Sequence, residues 1–376
     1  TGDIYSLFYE LGIKLLKPKG YLAFITSNKW MRAAYGESLR KYFVEKSNPV
    51  ILIDFGGVQV FDTATVDTNI LISEKAKYEG ETKACILDKN FSINNTSDYF
   101  NTLFIKASYT SANWTVLGAV EQTIKNKIEK IGIPLKNWDV QINYGIKTGY
   151  NEAFIIDENK RNDEIIRPIL LGKNIKRFTY EWSGNWLINA HNGIKSKGIP
   201  RIDVEKDYPV VYEYLLKHRT ELEKRLDQGD HWSNLRNCAY LEDFNKVKIG
   251  WGNLALKSQF SFIPADYILN APSPFFVTEN YYLLAVLNST IADYYIKQLG
   301  VSRNGGYFEY KPMFVEQLPI PFIDEAEQKK FCDIVEKIIY EKTNNRETSE
   351  LENSLDKMVF DLYNLVEEEI NLVSNY

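Results

Sequence analysis

The sequence predicts an α/β protein: a partial doubly wound sheet, then a mixed α+β region, then a C-terminal helical hairpin. Three observations carry this. Helical patterns alternate with short, wholly apolar runs near the start of the chain. Beyond the helix that ends near Gly132, short strand-like runs separated by glycine-marked turns replace that alternation. The end of the chain holds two amphipathic helical patterns and a polar link.

Asp3–Leu16 sets Ile4, Leu7, Phe8, Leu11, Leu15 and Leu16 at helical spacing, and Pro18-Lys19-Gly20 stops it. Tyr21–Ile25 reads as a buried strand. Asn28 is placed to cap a following helix, Lys29–Phe43. Val50–Phe55 is a second apolar strand, ended by Gly56-Gly57, and Asn69–Ile72 is a third. Strands apolar on both faces between helices mean a sheet covered on both sides. With no Gly-x-Gly-x-x-Gly and no phosphate loop, this region reads as the second half of a doubly wound domain.

Val116–Ile131 is a helix ended by Gly132 and Pro134. Trp138–Ile142, Ala153–Ile156, Val247–Trp251 and Gln259–Ile263 read as strands. Tyr208–Leu226 reads as a helix with Pro209 in its first turn, and Tyr281–Leu299 as an aromatic-rich one. Asp324–Tyr340 and Thr348–Leu365 form the hairpin, a packing element with a solvated acidic face. The divisions expected are 1–118, 119–322 and 323–376.

The net charge of −5 is uneven. Residues 323–376 hold 6 Lys and Arg against 14 Asp and Glu, a net of −8, whereas 119–322 hold 26 against 24. A near-neutral middle region can still carry a basic stripe. Cys85, Cys238 and Cys332 are odd in number and far apart, which suits a reducing cytoplasm and gives neither a disulfide framework nor zinc spacing. His191, His218 and His231 are scattered, so no metal site is expected. Apolar runs such as Tyr281–Leu287 are too short to span a bilayer, and no secretory signal opens the chain; no membrane partner is expected. The chain starts without Met and inside an element, as a piece of a longer protein would. There is no Gly-x-Ser-x-Gly elbow and no Cys/His pair. Asp157-Glu158-Asn159-Lys160 has the Glu-x-Lys of a Mg²⁺ nuclease, but any charged turn would produce it.

Three turns concentrate groups that hold phosphates and read bases. Gly145–Phe154 offers Lys147, Thr148, Tyr150 and Asn151. After Gly172 come Lys173, Asn174, Lys176 and Arg177. Ser302–Phe308, running on to Lys311, offers Arg303, Asn304, Tyr307 and Lys311, with Gly305-Gly306 at a hairpin tip. The plain alternative for each is a solvated turn; two glycine-hinged turns in one region favour the DNA reading. Trp182, Trp186, Trp232 and Trp251 read as core.

Gly20–Gly36, Ile53–Gly56, Val60-Phe61 and Val66–Ile70 resemble the region after the catalytic motif of adenine-specific DNA methyltransferases, the large bacterial enzymes of type IIG restriction-modification and phage-defence systems. Gly145–Phe154, Arg167–Ile175 and Gln317–Pro321 are similar to the TaqI-like C-terminal specificity domain that follows. The resemblance implies methyl transfer from S-adenosylmethionine to adenine N6 in a specific duplex DNA sequence. Phe61 matches the aromatic position that stacks on the flipped adenine; a core Phe closing a strand is the alternative. The family's Asn-Pro-Pro-Tyr and cofactor loop are absent from this sequence. The resemblance therefore implies a C-terminal part whose cofactor, amine-holding motif and any nuclease lie elsewhere, with no cofactor bound by this chain itself. The other readings are a non-enzymatic specificity subunit working with a separate catalytic chain, and a globular protein with no DNA role.

Overall fold

The computed structural model describes residues 3–56, 58, 60–61, 66–87, 104–111, 113–157, 164–300 and 302–376. Gly57 and most of the charged turn at Asp157–Lys160 lie outside these. The chain divides into two units: residues 1–127 with 298–301 and 366–372, and residues 128–297 with 302–365 and 373–376.

The first unit contains α1 (Tyr5–Leu15), β1 (Tyr21–Ser27), α2 (Glu37–Lys46), β2 (Asn48–Asp54), β3 (Thr68–Glu74), β4 (Thr82–Ile86) and β5 (Ile105–Ala107). Its sheet runs β1-β3-β2-β4-β5. Among the described residues of this sheet only β2 and β4 pair in parallel; β3 lies between β1 and β2 and runs against both. Tyr9, Trp30, Phe43 and Trp114 make the ring cluster of the core, with Trp30 5.2 Å from both Phe43 and Trp114.

Two expectations change here. The helix expected from Lys29 begins at Glu37, after short 3₁₀ turns at Asn28–Met31 and Ala34–Gly36. Buried Arg40 holds those turns, donating to the Trp30 and Ala33 carbonyls at 2.7 and 3.0 Å. Asn28 is not the cap: Ser27 accepts from the Lys29 amide, and Asn28 Nδ2 donates to Asp54 at 2.9 Å.

Helix α3 (Ala119–Ile131) crosses the division. There follow β6 (Gly132–Pro134), β7 (Asn143–Tyr144), α4 (Asn151–Phe154), β8 (Ile155–Ile156), β9 (Ile166–Leu170), β10 (Trp186–Ile188), α5 (Val204–Asp207), α6 (Pro209–Leu216) and α7 (Arg219–Glu223). Then come β11 (Lys248–Trp251), β12 (Leu254–Ala255), β13 (Phe260–Ile263), β14 (Ile268–Leu269), β15 (Pro274–Val277), α8 (Tyr281–Leu287) and α9 (Thr290–Leu299). The second unit closes with β16 (Ser302–Arg303), β17 (Tyr307–Glu309), α10 (Pro312–Val315), β18 (Pro319–Pro321), α11 (Glu325–Thr343) and α12 (Ser349–Leu362). Its sheets are β14-β9-β10-β8, β13-β11-β15-β7, β12-β17-β16 and β18-β6.

Long helices expected from pattern are broken where side chains have other work. Tyr281–Leu299 divides at Asn288, whose amide exchanges hydrogen bonds with the Phe260 backbone of β13 at 3.0 and 2.9 Å. Tyr208–Leu226 divides around Lys217 and His218. Trp138–Ile142 is not a strand, and pairing starts at Asn143. Trp232 and Trp251 are buried; Trp182 and Trp186 are half-buried, edge to face at 4.9 Å.

Candidate nucleic-acid interface

The first turn is fastened by its backbone. Gly145 N donates to Ser273 O at 2.8 Å, Ile146 N to Leu269 O at 2.7 Å, and Ala271 N to Ile146 O at 3.0 Å. Within the turn Thr148 is buried, and its hydroxyl donates to Asn151 Oδ1 at 2.6 Å. Tyr150 O–H donates to Glu152 at 2.6 Å, which raises the phenol's pKa. Lys147 and Asn151 face solvent. An open cleft of about 440 Å³ is lined by this turn, Arg236, Asn270 and Ala271.

Sequence reasoning missed the residue that holds this turn. Arg225 donates to four backbone carbonyls: Thr148 and Trp232 at 2.6 Å, Asn234 at 2.8 Å and Leu222 at 3.1 Å. Its guanidinium also lies 5.1 Å over the Phe154 ring. Burial pushes its pKa down to about 10. Gly149 is needed beneath it: its φ is +74°, and a Cβ there would stand 2.8 Å from Arg225 Cδ.

In the second turn Lys173 is exposed and Lys176 half-exposed. Asn174 is buried: its Oδ1 accepts from the Leu171 amide at 2.8 Å and its Nδ2 donates to Ser183 at 3.2 Å. Its amide is thus engaged in closing the turn rather than turned outward. Arg177 pairs with Glu352 at 3.0 Å and Asp356 at 3.6 Å on α12. The acidic face of the C-terminal hairpin is therefore not wholly solvated, and this cation is already neutralised.

The third turn is the expected hairpin, with Gly305 and Gly306 both at φ +79°. Arg303 Nε donates to Glu309 at 2.7 Å, and Lys311 pairs with the same carboxylate at 2.6 Å. Tyr307 is exposed. Asn304 is part of the tip's 3₁₀ turn.

The three turns are neighbours through two connectors. Segment 269–273 touches the first turn as described, and Ser273 Oγ would stand 2.9 Å from a Cβ on Gly172, which opens the second. The same Cβ would meet Gly252 at 3.4 Å. From there Asn253 O accepts from Tyr310 N at 2.9 Å, and β12 pairs with β17. One run of adjoining backbone thus carries all three turns.

In the first unit, Phe61 is 43% exposed, so it does not close a core. Asp54, at the end of β2, is fully buried and accepts from Asn28, Arg32 and the Gly56 amide at 2.9, 3.1 and 3.0 Å. Among the described residues no group of three or more His, Cys, Asp or Glu could hold a metal ion, and no helix is long and apolar enough to cross a membrane.

Residues 1–61 match the Eco57I restriction-modification methylase family, and residues 167–320 match the TaqI-like C-terminal specificity domain. The chain is therefore similar to type II restriction-modification methyltransferases, with a region like their specificity domain. Among its relatives, the type II methyltransferase M.MjaIV of Methanocaldococcus jannaschii is 28% identical over 60% of this chain and 79% of that protein. M.BstVI of Geobacillus stearothermophilus is 21% identical over 99% of this chain and 69% of that protein. The restriction enzyme and methyltransferase RM.Eco57I of Escherichia coli is 23% identical over 89% of this chain, which spans only 38% of it. The Type IIL restriction-modification enzyme MmeI, solved in complex with DNA, shares the fold over 100% of this chain at a TM-score of 0.63 and 14% identity; the chain spans 51% of it.

Proposed function

We propose that this chain is the DNA-recognising part of an enzyme that transfers a methyl group from S-adenosylmethionine to adenine N6 in a specific duplex sequence. The observation that supports the reading is the run of adjoining backbone that links the turn of Lys147 to those of Lys173 and of Arg303 and Tyr307, the latter two inside the TaqI-like region. Exposed cations give sequence-independent grip on phosphates, while a planar guanidinium and an aromatic ring read base edges.

The cofactor does not fit the residues present. The sequence lacks the cofactor loop and Asn-Pro-Pro-Tyr, and the buried carboxylate at the strand end, Asp54, is already bound by Asn28, Arg32 and Gly56. Phe61 takes the role of stacking partner for an extruded adenine.

Two features support a further part covering the first unit. On α1, the residue before it, Ile4, together with Leu7, Phe8, Leu11 and Leu15, forms an apolar stripe, each residue more than half exposed. Among the described residues β1 has a sheet neighbour on one side alone. In this reading that surface meets the cofactor-binding part, whether in the same chain or in a separate catalytic subunit; an Asn-Pro-Pro-Tyr in frame before Thr1 decides for the former.

The test has two arms. The purified chain selects one sequence from a randomised duplex pool but transfers no labelled methyl group; a part carrying Asn-Pro-Pro-Tyr restores transfer. A chain that enriches no sequence at low salt overturns the recognition reading, and methyl transfer by the chain alone overturns the division of labour.

A further inference from the structure

The small sheet β12-β17-β16 has two unlike faces. Arg303 stands opposite Tyr307 across the hairpin, and Glu309, two residues on, shares the face of Tyr307. Leu254 is the β12 partner of Glu309. On this face the Arg303 side chain is 52% exposed, Tyr307 44% and Leu254 52%. The alternate residue, Phe308, lies on the other face beneath Lys297, 5.1 Å from its ammonium.

Glu309 is the exception on the open face, at 3% exposed. A carboxylate this deep needs charged partners, and it has two. One oxygen takes both Nε and Nη2 of Arg303, the other takes Lys311. A guanidinium carries five N–H donors in a rigid plane. Holding the Nε–Nη2 edge fixes that plane and leaves Nη1, with the outer hydrogen of Nη2, directed away from Glu309. Among the described residues Nη1 has no hydrogen-bond partner. That outer edge matches the paired acceptors O6 and N7 of guanine in the major groove.

We propose that Glu309 is the positioning residue that makes Arg303 a reader of guanine, with Leu254 and Tyr307 flanking it as apolar contacts for the neighbouring base pair. Glu309 is too buried to touch a base itself; it acts through Arg303. The inference rests on the DNA-recognition reading and names the base that one part of the interface selects.

The test is a double-mutant comparison on the purified chain, using the preferred duplex and duplexes substituted at each position. Glu309→Gln keeps the shape but removes the charge that orients Arg303. Discrimination at one guanine position falls about 10-fold to 100-fold, while binding to unrelated DNA holds or tightens, since a negative charge has gone. In the Arg303→Ala background, Glu309→Gln changes discrimination no further. If Glu309→Gln fails to fold, Glu309→Asp, which withdraws the carboxylate by one methylene, is read in the same way. A Glu309 that merely supports the hairpin gives a different result: weaker binding to all sequences alike, equally in both backgrounds, and that overturns the proposal. Full discrimination in the Glu309 variant, beside a discriminating wild type, overturns this inference alone. A wild type with no sequence preference overturns the recognition reading with it.

Discussion

Arg225 Nη1 donates to the Thr148 carbonyl at 2.6 Å, joining positions 77 residues apart in sequence. The first recognition turn is therefore held from outside, by a guanidinium that also binds the Trp232 and Asn234 carbonyls. A lysine is charged but has no planar fork to reach those acceptors together. Arg225→Lys is expected to lose about 1–3 kcal/mol of unfolding free energy, the range for leaving buried acceptors unmet. Urea denaturation measures this; a variant as stable as wild type would show the clip to be dispensable.

Lys147 and Lys173 are exposed and make no ion pair among the described residues, whereas Arg177 is bound to Glu352 and Asp356. Alanine at either lysine should weaken binding to all sequences alike and flatten the log–log salt dependence by about 0.9. Arg177→Ala should leave that slope unchanged and cost stability instead, by about 1–3 kcal/mol. Salt titrations of DNA affinity separate the two kinds of cation.

Lys248 is fully buried, its ammonium donating to the Phe244, Lys246 and Pro264 carbonyls at 2.9 to 3.0 Å. Burial, reinforced by nearby Arg167, pushes its pKa down to about 7. In the unfolded chain it titrates near 10.4. Between those values the unfolded state holds a proton that the folded state has released, so stability rises with pH. The gain is at most about 1.4 kcal/mol per pH unit. Below about pH 7 both states are charged and the contribution is flat. Denaturation midpoints at pH 7 and pH 9 should show the rise, and Lys248→Met should remove it.

Phe61 is 43% exposed. Phe61→Ala should therefore change folding stability by less than about 1 kcal/mol, well under the cost of emptying a core position. In the enzyme joined to its cofactor-binding part, it should slow methyl transfer by the worth of one base–aromatic stack, about 1–3 kcal/mol, with a smaller effect on DNA affinity. Single-turnover rates beside binding constants test this; unchanged turnover would remove Phe61 from the base pocket.

Local pattern made parts of this molecule legible in the sequence. The apolar runs that became β1, β2 and β3 were legible as strands, although Tyr21 and Ile25 of β1 are exposed rather than buried, and Gly305-Gly306 announced a hairpin because both need positive φ. What stayed hidden depends on which partner a side chain takes in the fold. Arg177 looks like any loop cation until α12 brings Glu352 beside it. Asn174 looks like a base reader until its amide closes on Leu171 and Ser183. Asn28 looks like a cap, yet Asp54 takes it, so the helix starts later. Arg225 carries no local mark at all, because its acceptors are carbonyls, which every residue has.

Each turn is fastened by groups that are not at its tip: Arg225 for the first, the α12 carboxylates for the second, Glu309 for the third. Exchanging an exposed tip residue such as Lys147, Lys173 or Tyr307 leaves those fastenings whole. Surface changes of this kind usually move stability by less than about 0.5 kcal/mol. The scaffold can therefore be inherited unchanged while its tips vary, and a lineage can acquire a new target sequence one substitution at a time without passing through an unfolded ancestor.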